Sequence, residues 1–597
     1  MAPTEGAYPT PAVSLTKHPA TLPRAEIPDD IDHAAVAASA LEQMNDRISV
    51  GRLAENVIWR DSLAITGTLR TFYSPSLVAH VWHDLSRRRR PCSFKLSLGS
   101  SQVVRAGCGV AWVEAKFEFH VYGPRSARCS GVIGLVPAKG REGTEWKIWL
   151  LCTILEQVDG WPDVDGLVPG HSTFADCGLE EGNDASSTAR TNGQALSKGS
   201  SIAPLLDCLV VGGGMGGLCM AGRLKALGLS YLAVEKHEQV GDVWLKDRYE
   251  SVKLHTSKEY SQMPGTPRTF GPDCPYHLTG KDLVDGFQRY ANNFGINVWT
   301  STLLESAEWD GEKEAWKVRL CKHGEKHVVM HVRHIVLATG NNGIKPKMHT
   351  YPNRDRFKGD IVHAGHWRNA SPWRGRRGIV IGSANTAHDV IADMVKANFT
   401  SVTMIQRGKT FVLPMSTFGA LVDPVFNEAR PTEEANRLLL AYPLPIQRLL
   451  AMAGIRACAE QKEEYFDALE ARGMKVERYG DLWGLIYDHE GGHFFDLGSG
   501  QLIIDGKVKV RSDALPVTYT ETGLELSDGS RLDADVVVFA TGYEGSMRYT
   551  AAQIFGEEIA GGLQEFWQCD AEGESRGAWR DTGRKSLRSL LYLCVTW

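Results

Sequence analysis

No two of the twelve cysteines in this 597-residue chain form a Cys-x-x-Cys pair, so the sequence lacks the vicinal thiols of a disulfide-exchanging redox centre. The first 28 residues lack the apolar core of a secretory leader. Scattered thiols in such a chain read as reduced core residues, and a cytoplasmic location is expected. Long hydrophobic runs are also missing. Spanning a bilayer takes roughly 18 apolar residues, and the nearest candidates, around Ile148–Leu155 and Leu590–Val595, fall far short. Nor is there an excess of one charge: Lys+Arg 66 against Asp+Glu 71 leaves −5, and the run Arg87–Arg90 reads as a solvated helix end. Neither nucleic acid nor membrane is therefore an expected partner.

What the sequence does have is glycine, 61 residues, about 10% against the usual roughly 7%. Residues 1–45, rich in Pro, Thr and Ala near the start, read as a mobile lead. Residues 46–172 read as a small α+β domain. Within it Val113, Ala115, Phe117, Phe119 and Val121 alternate with more polar neighbours, the period of a half-buried strand. Residues 173–203, nearly free of large apolar side chains, read as a flexible linker. From Leu205 on, short β-branched runs alternate with helical segments, the texture of βαβ units.

Two segments carry chemistry. In the first, a strand Leu205–Val211 runs into Gly212-Gly213-Gly214-Met215-Gly216-Gly217, then a helix, then a strand Tyr231–Val234 ending at Glu235. Gly212 permits the tight turn, Gly214 lets backbone approach a pyrophosphate, and Gly217 allows helix and strand to pack closely. Glu235 is spaced to accept hydrogen bonds from a ribose. In the second, a strand Gly378–Ile381 leads to Gly382-Ser383-Ala384-Asn385-Thr386-Ala387, a helix, and a strand Val402–Ile405 followed by Gln406 and Arg407. An acid there would repel a 2′-phosphate, whereas Arg407 pairs with it, so this site is expected to take NADPH. Two further segments, His334–Gly340 and Ala534–Gly542, end in Ala-Thr-Gly and return the chain to a cofactor-binding sheet, placing Thr339, Gly340, Thr541 and Gly542 at the cofactors. Two dinucleotide sites imply electron transfer between them. Without a cysteine pair, molecular oxygen is the obvious acceptor.

Residues from about 205 to 580 resemble flavin-containing monooxygenases, especially the soluble fungal and YUCCA-like plant type. The resemblance rests on GGGMGG at Gly212–Gly217, GDVW at Gly241–Trp244, ESVKLHTSKEY at Glu250–Tyr260, GSANTAHD at Gly382–Asp389 and FATGY at Phe539–Tyr543. The spacing Phe357-x-Gly359-x-x-x-His363-x-x-x-Trp367 resembles a fingerprint shared with Baeyer–Villiger monooxygenases. The resemblance implies an α/β fold with two Rossmann-like domains. FAD would lie on the first, touched also by Val243 and Trp244, and NADPH on the second. Residues 46–172 resemble an NTF2/SnoaL-like cone. Residues 204–370 are then the first part of the FAD-binding domain, 371–500 the NADPH-binding domain, and 501–597 the FAD domain's C-terminal part, expected to be shortened where it reads KSLRSLLYLCVTW.

Through the resemblance, the implied reaction uses a flavin C4a-hydroperoxide to insert one oxygen atom of O2 into a small organic molecule, in specialised metabolism. His255 and Thr256 stand where family members carry a residue near the flavin, and are the candidate catalytic pair. N- or S-oxygenation, Baeyer–Villiger insertion and oxidative decarboxylation all stay open. So do an uncoupled NADPH oxidase and a catalytically inactive binding module. A homodimer is an open assembly, and no metal is expected.

Overall fold

The computed structural model describes residues 11–46, 48–107, 109–140, 143–170, 205–265, 267–340 and 345–579, with short strands at Arg190–Thr191, Gln194–Ala195 and Leu590–Tyr592. Most of the expected linker 173–203 and of the closing stretch after 579 lies outside the described residues.

The N-terminal domain begins with helix α1 (His33–Asp46) and continues through β1 (Leu53–Ser62), β2 (Leu69–Tyr73), α2 (Pro75–Arg89), β3 (Pro91–Leu96), β4 (Gln102–Arg105), β5 (Ala111–Tyr122), β6 (Ser126–Lys139) and β7 (Thr144–Val158). The strands form one sheet in the order β2-β1-β7-β6-β5-β3, with β4 beside β5. The alternation expected around Phe117 is present: Phe117, Phe119 and Val121 are buried in a cluster with Trp59, Trp82 and Phe94. The mobile lead expected over 1–45 is corrected in its second half. Ala37, Leu41 and Met44 recur at helical spacing and are buried against that same cluster, so α1 is a docked helix.

The first nucleotide domain is built from β8 (Leu205–Val211), α3 (Met215–Ala226), β9 (Tyr231–Val234), β10 (Val298–Trp299), β11 (Thr302–Asp310), β12 (Ala315–Lys322) and β13 (Lys326–Leu337). Its strand order is β10-β9-β8-β13-β12-β11. The pairs β10–β9, β9–β8 and β8–β13 are parallel, as crossover connections require, and β11–β12–β13 is an antiparallel meander. Val211 stands opposite both Val234 and Leu337, so three strand ends converge at the glycine turn.

The second nucleotide domain comprises β14 (Asp360–His363), β15 (Arg377–Ile381), α4 (Asn385–Lys396), β16 (Ser401–Ile405), β17 (Thr410–Pro414), β18 (His493–Asp496), β19 (Lys509–Arg511) and β20 (Val536–Phe539). Its parallel sheet runs β14-β20-β15-β16-β19, and β17 pairs with β18 beside it. This redraws two expected boundaries. Residues 360–363, 509–511 and 536–539 belong to the second sheet, not to the expected FAD-binding parts 204–370 and 501–597, and 516–533 between them form a small antiparallel sheet of their own. The reason is that a glycine turn needs a parallel neighbour whose end folds under it. Ala338 N–H donates to Val211 O (2.8 Å) in the first domain, and Ala540 N–H donates to Ile381 O (2.9 Å) in the second. Each Ala-Thr-Gly strand thus serves its own turn. The C-terminal part does return to the first domain after 545, where Phe555 packs edge-on against Trp316 at 5.2 Å. The chain crosses between the nucleotide domains at Lys345–Pro346 and back at Tyr543–Glu544, and these crossings pair antiparallel.

Candidate functional site

A cavity of about 1010 Å³ opens where β8, β9 and β13 end. Its wall includes Gly212, Gly214, Met215, Gly216, Glu235, Val243, Trp244, Thr339, Gly340 and Gly542, all expected cofactor contacts. Gly212 holds φ +113°, and a Cβ there would lie 2.3 Å from Ala338 O. At Gly217 a Cβ would lie 1.8 Å from Gly212 O, so helix and turn are in backbone contact. Gly214 differs: a Cβ there would meet nothing within 4 Å, and no side chain caps α3 at this residue. Uncapped helix N–H groups beside open space are a ready anion site, and the residues present fit a dinucleotide pyrophosphate. Glu235 is buried at the end of β9. Its Oε2 accepts from Gly213 N–H (2.7 Å), and its Oε1 accepts from His237 N–H (2.9 Å) and lies 2.8 Å from His237 Nδ1. The carboxylate therefore braces the glycine turn as well as facing the cavity.

The second turn repeats the construction with less room. Gly382 has φ +131°, and a Cβ there would lie 2.4 Å from Ala540 O. Ser383 Oγ is 2.7 Å from Thr410 Oγ1, and Asn385 Oδ1 accepts from Phe495 N–H (2.7 Å), tying the turn to β17 and β18. Ala384 is the residue before α4 and has no side-chain cap to offer, so this helix start is also open. Gln406 is buried and bonded to Lys475 backbone, whereas Arg407 is exposed at the mouth of the turn. Thr541 donates to Lys347 O and does not line the cavity.

The candidate catalytic pair is placed less directly. Leu254 and His493 are on the cavity wall, while His255 and Thr256 are not among the lining residues. The His255 ring lies 5.5 Å from that of Phe495, and burial, with His493 and His277 nearby, lowers it to about 4. Thr256 Oγ1 lies 3.1 Å from Ser261 Oγ within the fold. His493 is buried, its Nδ1 has no hydrogen-bond partner among the described residues, and burial lowers it to about 4. It is therefore a neutral imidazole at the cavity with spare hydrogen-bonding capacity. Its residue type and the GGHFFDLG context are visible in the sequence; its place on the wall depends on β17–β18 pairing.

The Phe357–Trp367 spacing acquires a physical role. A Cβ on Gly359 would lie 2.5 Å from Asp535 O, which fixes β14 against β20. His363 Nδ1 accepts from Gly365 N–H (3.0 Å), so Nε2 carries the proton and donates to Gly542 O (2.9 Å), pinning a cavity-lining turn. Trp367 Nε1 donates to Asp393 Oδ2 (3.2 Å) on α4.

From the first domain, Tyr249 hydroxyl donates to Asp389 (2.6 Å) and Ser251 to Asp393 (2.9 Å). Burial pushes the Asp389 carboxyl up to about 7, opposed by the Tyr249 hydrogen bond; Asp393 adds to the rise and Lys253 offsets it. The folded carboxyl thus holds its proton well above the pH at which the unfolded one ionises. Its contribution is fully present below about pH 4 and is lost as pH rises towards 7. Asp389→Asn is accordingly expected to stabilise the protein by about 2–4 kcal/mol above pH 7, with the gain vanishing near pH 4. Denaturant titrations between those pH values check this.

The profile of the family described as pyridine nucleotide-disulphide oxidoreductase matches residues 209–433, a span holding both glycine turns. Among curated proteins the chain is similar to the probable indole-3-pyruvate monooxygenase YUCCA9 of Arabidopsis thaliana, 28% identical over 347 residues, covering 57% of this chain and 75% of the relative. It is also similar to the probable FAD-binding monooxygenase AlmA of Acinetobacter baylyi, 25% identical over 362 residues, covering 57% and 68%. Among solved structures, an oxidized steroid monooxygenase bound to NADP aligns at 19% identity and TM-score 0.44, covering 59% of this chain and 74% of that one.

Proposed function

Because this chain belongs to the flavin-containing monooxygenase family, we propose that it places one oxygen atom of O2 on a small carbonyl compound at the cavity bordered by Gly214, His493 and Trp567. It is a flavin-dependent monooxygenase, and its cofactors are FAD and NADPH. The carbonyl class is supported by the curated relatives, several of which are named for indole-3-pyruvate, a 2-oxo acid. The observation that carries the reading is the open, uncapped start of α3 at Gly214, facing a cavity large enough for a dinucleotide and a substrate together.

FAD held here and reduced by NADPH would supply two of the four electrons that divide O2 between product and water, the oxygenated substrate giving the other two. The chain's own work is to bind, orient and exclude water. The α3 N–H groups take the pyrophosphate, and Glu235 holds both the turn and the ribose side of the cavity. Asn385 and Thr386 open the second helix, with Arg407 beside them for a 2′-phosphate. His493, neutral at physiological pH, offers a hydrogen bond inside the cavity without bringing a charge into it. Ile486, Ile554 and Trp567 close the far side with apolar surface, which keeps bulk water from the reacting atoms.

The same reading takes residues 46–172 as an NTF2-like module and the protein as cytoplasmic. Among the described residues no single helix is long and apolar enough to cross a membrane. The test is anaerobic NADPH addition followed by oxygenated buffer containing ¹⁸O2 and a panel of small ketones and 2-oxo acids. The flavin is expected to bleach, reoxidise and leave one ¹⁸O in the organic product. Bleaching with peroxide as the only oxygen product would instead mark an oxidase, and no bleaching would overturn the assignment.

A further inference from the structure

One wall of the cavity is formed by residues that the chain does not hold there comfortably. Trp567, which lines the cavity, and Gln568 after it have φ of +80° and +63°. Bulky residues avoid this region, and two in succession persist only where the surroundings over-determine them. Part of the restraint is local. Trp567 Nε1 donates to Ile486 O (2.8 Å), its ring stacks on Tyr487 at 4.8 Å, and its N–H donates to Arg576 O (3.2 Å).

The rest comes from the N-terminal domain, whose β1 and β2 grip the loop that follows. Arg60 Nε and Nη2 make a two-point fork with Glu574 at 2.7 and 2.9 Å, and the third arm of the guanidinium reaches Leu440 O. The two side chains are only 9% and 3% exposed. Thr71 Oγ1 donates to Glu574 (2.7 Å), Arg70 pairs with Glu572 (2.6 Å), and Tyr73 hydroxyl donates to Glu572 O (2.8 Å). The lead adds Val13 N–H to Cys569 O (2.9 Å), and Ser14 to Asp488 (2.7 Å) just after Tyr487. Loop 569–574 is therefore anchored in the N-terminal domain and the Leu482–Tyr487 helix in the lead that precedes it, and both feed the cavity wall through Trp567 and Ile486. A buried ion pair is weak support for stability alone, since apolar residues in its place are often as good; a two-point fork does fix geometry.

We propose that the N-terminal domain positions the cavity wall, with Arg60 and Glu574 as positioning residues that act through the Trp567–Gln568 turn. This rests on the reading that the cavity holds FAD. The experiment uses the full chain as wild type, Arg60→Met, Trp567→Ala and the double variant. Amide hydrogen exchange over 563–579 reads the clamp without reference to flavin. Arg60→Met is expected to speed it by about tenfold or more, while strands 377–405 stay at the wild-type rate. FAD titration reads the consequence. Each single variant should weaken binding by about tenfold, and the double should be no worse than Trp567→Ala, because both remove the same wall. Arg60→Lys, which keeps the charge and loses the fork, should lie between wild type and Arg60→Met. Unchanged exchange at 563–579 overturns the proposal, and so do losses that multiply to about a hundredfold in the double variant. If Arg60→Met does not fold, Glu574→Gln goes through the same cycle with the same deciding outcomes. A wild-type chain that takes up no FAD would sink the functional reading, while the exchange measurement still decides the clamp.

Discussion

Gly217→Ala is expected to yield protein that folds but purifies largely without flavin. The added methyl would lie 1.8 Å from Gly212 O, and Gly212 has little room to retreat, since even a Cβ on it would lie 2.3 Å from Ala338 O. Helix α3 must therefore back away from the turn, carrying its N–H groups off the pyrophosphate position. Overpacking of this kind costs about 3 kcal/mol, roughly a hundredfold in FAD affinity. The ratio of visible to ultraviolet absorbance after purification, followed by FAD titration, measures it. The second turn provides the control. It carries Ala387 at the equivalent place, fully buried, so Ala387→Gly should leave flavin content at the wild-type level. A Gly217→Ala protein with full flavin would contradict the assignment of this turn.

Arg407→Ala is the second large expected effect, and it falls on cofactor choice. Arg407 is exposed at the end of β16, and the neighbouring Gln406 is buried and spent on Lys475. A charge-assisted pair with a 2′-phosphate contributes about 1.5–3 kcal/mol. Its loss should raise the KM for NADPH by roughly 10- to 150-fold and leave that for NADH unchanged. The turnover number at saturation should hold, since Arg407 meets a part of the cofactor remote from the transferred hydride. Steady-state kinetics with both nucleotides distinguish this from general damage, which would raise both KM values together.

Both predictions start from residues that the sequence exposes plainly, because glycine spacing and the residue ending a strand are local facts. Leu205–Val211 and Tyr231–Val234 are read from the sequence with the same ends that the structure has. What depends on distant pairing was harder to see. By position the second Ala-Thr-Gly strand falls in the C-terminal FAD part, yet its register with Ile381 puts it under the second turn. Each segment is an apolar run ending in Ala-Thr-Gly that suits either sheet, so only pairing decides. The docking of α1 is hard to read because the small residues in HAAVAASALEQMND give a weak apolar stripe. Arg60 and Glu574, 514 positions apart, offered no local signal at all. Trp567 is one of 16 tryptophans, and nothing in its neighbours announces a left-handed backbone.

The two crossings at Lys345–Pro346 and Tyr543–Glu544 have a mechanical consequence. Two chain segments that run side by side and share hydrogen bonds resist being twisted or slid apart. The nucleotide sheets are thus joined by a paired strap, and the Tyr249–Asp389 and Ser251–Asp393 bonds hold them at a second place. On the same edge His363 grips Gly542 one residue before the strap, so the turn facing the cavity is fixed to the second sheet.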